Sequence, residues 1–330
     1  MLQLKNHTPF AADMALFPNE QGIDTLYVLV KATFIYALQL SLAPQQSAPQ
    51  KKDTFLGDSD QSSLMLPSDF HTGKSATDIL MIGSAFSPDA QPVFQMDVVL
   101  RVAKLEKALR VMGDREWERG RISTPASFVE MPLIYERAFG GSVLMENKIH
   151  QQEARNPVGL GFTGDLSVND VETWSLPNLE YPQQQIQRWG DRPAPACFAP
   201  VAGHWHPRIT HAGTYDAHWQ QHRAPFLPMD YNPRFMNTAP EDQIYPGFLQ
   251  GGEPVFIRGM HPEGDLNFSL PRVNLDCRLT ILGRSERAPF LLETLILNPN
   301  QRQFSLVWRS AYQCDKHALK IDQIDVTLTR

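Results

Sequence analysis

Hydrophobic positions along this chain follow two patterns: short runs that are apolar throughout, and runs that alternate with polar residues. The stretch LYVLVKATFIY (26–36) is rich in β-branched and aromatic residues. It predicts a strand apolar on both faces, hence a central one. ILMIGSAF (79–86) predicts a short buried strand. In 94–102 the residues Phe94, Met96, Val98, Leu100 and Val102 share one face, while Gln95, Asp97 and Arg101 take the other. A turn over 104–107 would let ALRVMG (108–113) return as its hairpin partner. Near the C-terminus RLTIL, FLLETLIL, FSLVW and IDVTL are short and apolar or alternating. Phe304, Leu306 and Trp308 fall on one face, as do Ile324, Val326 and Leu328. Short strands at this spacing predict antiparallel sandwich or barrel-like sheets.

Between the strand-rich ends lies a different kind of sequence. Residues 188–272 are dense in proline, which fixes φ and removes a backbone donor, so long helices and inner strands are excluded over most of it. Yet Phe226, Tyr231, Phe235, Tyr245 and Phe248 carry too much apolar surface for a disordered tail. The expectation is an ordered, irregular segment wrapped on the body of the protein, and loops of this length are usually functional. The helices expected are brief; YDAHWQQHR (215–223), with Thr214 or Asp216 at its cap, is one. The fold class expected is α+β, β-dominated, with a long irregular central segment. Residues 1–330 then form one large domain, or two packed β halves (about 1–140 and 250–330) joined by 141–249.

Composition narrows the function classes. A chain of 330 residues supports a sizeable core. Its formal net charge of −6 argues against nucleic acid or an anionic membrane as partner. No run of about 20 apolar residues is present, so no membrane span is expected, and MLQLKNHTPF lacks a signal core. Cys197, Cys277 and Cys314 lie far apart with no CxxC spacing, which fits free buried thiols in a reducing cytoplasm.

Candidate chemistry centres on histidine. His204 and His206 have HxH spacing, which on a strand puts both on one face. His211 follows, and His218 and His222 are four apart on the expected helix. Such spacings can ligate zinc, iron or copper. A metal-dependent enzyme built on His204, His206 and His211 is therefore the alternative functional reading. HExxH is absent, and Pro207–Thr210 stand where a cupin-like site would want a glutamate. Asp216, Asp230, Glu241 and Asp242 could pair for acid–base work, but carboxylates in such loops more often accept from backbone N–H groups. No GxSxG elbow and no phosphate loop occur. The residues alone describe a β-rich protein with no recognisable catalytic site and no cofactor motif.

An ordered set of motifs adds to this: VLVKATF, TDIL, GDREW, YERAFGG, NPVGLGF, LPNLE, RPAPACFAP, AGTYDAHW, RAPFLPMDYNPRF, APEDQ, GGEPV and FSLPR. Together they resemble domain-of-unknown-function family 2169, from the N-terminus to about residue 310. The one departure is Cys197, where a glycine is more usual. The resemblance implies a non-catalytic adaptor or chaperone associated with type VI secretion in Gram-negative bacteria. It would bind an effector carrying a PAAR-repeat tip domain and help mount it on the VgrG spike. Such action needs binding and release, and no obligatory cofactor. Strand addition at a sheet edge or an aromatic groove would serve it. Within 198–248, Trp205, Trp219, Arg223, Tyr231, Arg234 and Phe235 are the partner-contact candidates, being residue types enriched at interface hot spots. The opposing expectation is that these side chains simply form core.

Overall fold

The computed structural model describes residues 3–36, 39–146 and 148–329. The longest apolar run forms an inner strand of a sheet. Asp24–Tyr36 is buried along nearly its whole length, with Ala11–Pro18 on one side and Gln303–Gln313 on the other. Phe290–Asn298 pairs next, antiparallel, and Asp78–Met81 then joins it in parallel. A second sheet holds the expected hairpin, Gln95–Val102 and Leu105–Met112, extended by Pro254–Arg258 and Leu266–Ser269. In a third, the first strand, Gln3–Asn6, runs parallel to the last, Ile321–Leu328. That sheet continues through Leu275–Ile281 to Arg284–Ala288. Strands from 1–140 and 250–330 are therefore interleaved within sheets, and all three sheets contribute side chains to one apolar cluster. The fold is β-dominated, and no sheet closes into a barrel among the described residues.

Two local expectations change. ILMIGSAF is split, because the chain leaves the central sheet after Met81 and Ser84–Phe86 pairs instead with Glu130–Pro132. Gly83 marks the crossing, where an added Cβ would lie 2.6 Å from Asn300 Oδ1. The hairpin turn is also tighter than 104–107. Val102 faces Leu105, so Ala103 and Lys104 alone make the turn, with Ala103 at φ 50°. Lys107 thereby enters the strand, in phase with Leu109 and Val111.

The central sheet has two unlike faces. Alternation and register put Val28, Val30, Ala32 and Phe34 on one face with Leu306 and Trp308, and all join the main core. The other face carries Tyr27, Lys31, Thr33, Ser305 and Arg309, with Asp78 and Thr294 in the same phase. Its polar groups are buried as well. Irregular chain covers them, and each charge is matched. Lys31 Nζ donates to Asp69 Oδ2 at 2.9 Å. Arg309 grips Glu293 through Nε and Nη2 at 2.9 and 2.7 Å. Lys74 Nζ donates to Asp78 Oδ2 at 2.6 Å, and Asn237 Nδ2 to Asp78 Oδ1 at 2.8 Å. A proline-rich cover cannot pair as a strand, so side-chain ion pairs and hydrogen bonds take the place of a ladder.

The Arg- and Glu-bearing motifs also tie chain crossings. Arg137 Nη1 donates to Asp114 Oδ1 at 2.8 Å and to Asn178 Oδ1 at 3.1 Å, joining three separate motifs. Asn156 Nδ2 donates to Tyr135 O at 2.8 Å and Phe139 O at 2.9 Å, locking NPVGLGF onto YERAFGG.

Candidate functional site

A cleft of about 1430 Å³ opens where the irregular segment meets the sheets. Most of its lining comes from residues 194–246, with Tyr135, Glu153, Arg155 and Tyr181 arriving from earlier chain. Prolines 195, 207, 240 and 246 stiffen the walls, and Tyr135, Tyr181 and Tyr245 give them aromatic surface.

One wall is organised by a lysine. Lys107 is fully buried on the inward face of Leu105–Met112, and its Nζ has three acceptors. These are Cys197 O at 2.6 Å, Gln243 Oε1 at 2.7 Å and Asp242 Oδ1 at 2.8 Å. Burial pulls the ammonium below its ordinary value, and Asp242 pulls it back. Asp242 accepts on its other oxygen from Tyr181 OH at 2.8 Å, leaving a fixed carboxylate at the cleft mouth. Burial, reinforced by the Asp242 charge, raises the Tyr181 phenol. Gln243 completes the wall, its Nε2 donating to Ile79 O and Phe198 O.

The opposite wall is basic. Two short 3₁₀ turns, Arg208–His211 and Pro233–Met236, pack together there, with Asn232 N donating to His211 O. Arg208 is half-buried over the Phe235 ring, with its Cζ 5.0 Å from the centroid. Its Nε donates to Phe235 O and its Nη1 to Val201 O, both at 2.8 Å. Between the two walls, Arg155 grips Glu153 through Nε and Nη2.

The residues singled out by sequence disperse. Trp205 is 1 % exposed and meets Tyr135 edge-on at 5.4 Å, so it is a core side chain beneath the cleft. Trp219 sits on the helix Ala217–His222, capped by Asp216 as expected, and donates from Nε1 to Phe226 O. Arg223 bonds Leu227 O and Glu20 O, anchoring that helix to the N-terminal region. Tyr231 packs edge-on against Phe235. Arg234 is exposed and lines the cleft. The HxH pair is not on a strand: His204–Pro207 form a turn with a cis His206–Pro207 bond. His206 and His211 reach the cleft and His204 does not line it. Among the described residues no three His, Cys, Asp or Glu side chains are grouped to hold a metal. Asp216 and Asp230 accept from backbone N–H groups of Trp219 and Thr214. Cys197, Cys277 and Cys314 are free and buried, and burial pushes the Cys197 thiol up to about 12, which keeps it protonated at neutral pH.

Nothing in the local pattern around Tyr181 or Arg208 marks them as site residues. Lys107 carried a signal, since it holds the inward phase of an alternating strand; its partners lie 90 or more residues away.

Fold and site together define a β-sheet protein bearing a large, preformed cleft with stiff aromatic walls. The chain belongs to the family described as uncharacterized protein conserved in bacteria (DUF2169), whose model matches residues 21–309. No curated protein and no solved structure matches it.

Proposed function

We propose that the protein is a binding adaptor or chaperone rather than a catalyst. Its cargo is an effector with a PAAR-repeat tip domain, and it helps mount that effector on the VgrG spike from the cytoplasmic side. The observation that carries this reading is the cleft itself. It is of a size to take a peptide segment, is walled by three tyrosines and four prolines, and has its shape set by internal bonds before any partner arrives. Preformed aromatic surface binds with little ordering cost. The motif APEDQ supplies Ala239, Pro240, Glu241 and Asp242 to its lining, RPAPACFAP supplies Ala194 and Pro195, and RAPFLPMDYNPRF supplies Arg234. Among the described residues no helix is long and apolar enough to cross a membrane.

The test is co-expression with a PAAR-containing effector, followed by pull-down and size exclusion. A stable complex, with the cargo insoluble when expressed alone, supports the adaptor reading. Soluble cargo that fails to associate sinks that pairing. Near-stoichiometric metal in the purified protein would instead favour a metal-dependent enzyme.

A further inference from the structure

The two walls of the cleft differ in how their charges are settled. Of the acids that line it, Glu153 is taken by Arg155, and Asp242 by Lys107 and Tyr181. Glu241 has no ion-pair partner among the described residues. On the basic side neither Arg208 nor Arg234 has a carboxylate within ion-pair distance among the described residues. Arg208 is the telling one. Burial pulls its guanidinium below the ordinary value, yet arginine stays charged at neutral pH. Asp53 and Asp78 draw it upward from beyond contact, and Asp78 is already committed to Lys74. A half-buried guanidinium held by two carbonyls and an aromatic face keeps its charge available to an incoming anion. Its Nη2 makes no hydrogen bond among the described residues, while the Phe235 ring and the two carbonyls hold the planar fork in place.

We propose that this end of the cleft is a carboxylate subsite, and that the occupant is an extended acidic peptide segment of the partner. The inference rests on the binding reading above and adds the chemistry of the bound segment. Arg208 presents a preorganised guanidinium, and Arg234 adds a second cation from the adjoining turn. His206 and His211, which also line the cleft, supply further ring donors. A carboxylate is the natural match to an arginine fork. A cleft of about 1430 Å³ is far larger than a free ion needs, and the tyrosine and proline walls suit the rest of an extended chain.

The experiment uses the full chain and a fluorescein-labelled decapeptide alternating glutamate with alanine, compared by fluorescence anisotropy with its glutamine counterpart. The glutamate peptide binds about tenfold or more tightly, and the advantage shrinks as salt rises. Arg234→Gln, an exposed position, loses about tenfold in affinity for the glutamate peptide with unchanged melting. Arg208→Lys keeps the charge but not the fork and also weakens it; if that variant melts early, Arg234→Gln carries the test. Arg284→Gln, on an exposed edge strand, changes nothing. Equal binding of both peptides, or no effect of Arg234→Gln, overturns the proposal. If the PAAR protein binds wild type and Arg234→Gln alike, the subsite falls and the adaptor reading stands. If the glutamate peptide binds selectively but the PAAR protein does not bind, the reverse holds.

Discussion

Lys107 Nζ lies 2.8 Å from Asp242 Oδ1, joining a fully buried strand position to a carboxylate at the mouth of the cleft. The same ammonium bonds Cys197 O and Gln243 Oε1, so one side chain fixes two segments of irregular chain against the second sheet. Burying a lysine is unfavourable unless every donor is met, and here three acceptors meet its three N–H groups.

Lys107→Met should therefore cost about 2–4 kcal/mol, because it strands buried acceptors as well as removing the ion pair. Asp242→Asn should cost less, about 1 kcal/mol, since Asp242 is partly solvated and asparagine can still accept. Urea unfolding of both variants checks the order; equal losses would show that the pair, not the lysine's other bonds, dominates.

Stability should fall in mild acid because of His71. The ring is buried, and burial holds its pKa well below the ordinary value, with Lys74 and Arg309 adding to the effect. Glu293 lies 3.8 Å away but is already gripped by Arg309, so desolvation prevails. Below about pH 6.5 the unfolded chain binds a proton there that the folded chain does not, so stability drops by up to about 1.4 kcal/mol per pH unit. Above pH 6.5 this contribution is flat. In His71→Gln the slope of unfolding free energy between pH 4.5 and 6.5 should be shallower by about one proton. An unchanged slope would assign the acid sensitivity elsewhere.

Gly140→Ala should be among the most damaging single-methyl changes. At φ 153° an added Cβ would lie 2.1 Å from Asn156 O, in the contact that joins YERAFGG to NPVGLGF. Backbone cannot step aside as a side-chain tip can, and a loss above about 3 kcal/mol is expected. Gly120→Ala, with φ 80° and nothing within 4 Å of the added atom, should lose only about 1 kcal/mol. Thermal melting of the two separates steric clash from backbone strain alone.

Tryptophan variants separate core from contact surface. Trp205→Ala should cost about 3–5 kcal/mol, because the ring is buried beneath the cleft. Trp219 is only half-buried on its short helix, so Trp219→Ala should cost about 1–2 kcal/mol. Cargo pull-down run beside melting reads the consequence. Lost binding by Trp219→Ala at preserved melting would make this helix a contact surface, and retained binding would leave the cleft as the contact.

Strand identity was legible because the period of two is local. Asp24–Tyr36 as an inner strand, the inward phase of Phe304, Leu306 and Trp308, and the Asp216-capped helix all follow from neighbours a few residues apart. The aromatic, proline-rich character of the middle likewise marked an ordered irregular segment in advance. Its pairings were not legible. Lys107 meets Gln243 across 136 residues, Asn237 meets Asp78 across 159, and Arg208 finds its place only when two distant turns pack together. Local pattern can show that a charge is in phase with a buried face. Which acceptor makes that burial affordable, and which cation is left without one, depends on where the folded chain brings its remote segments.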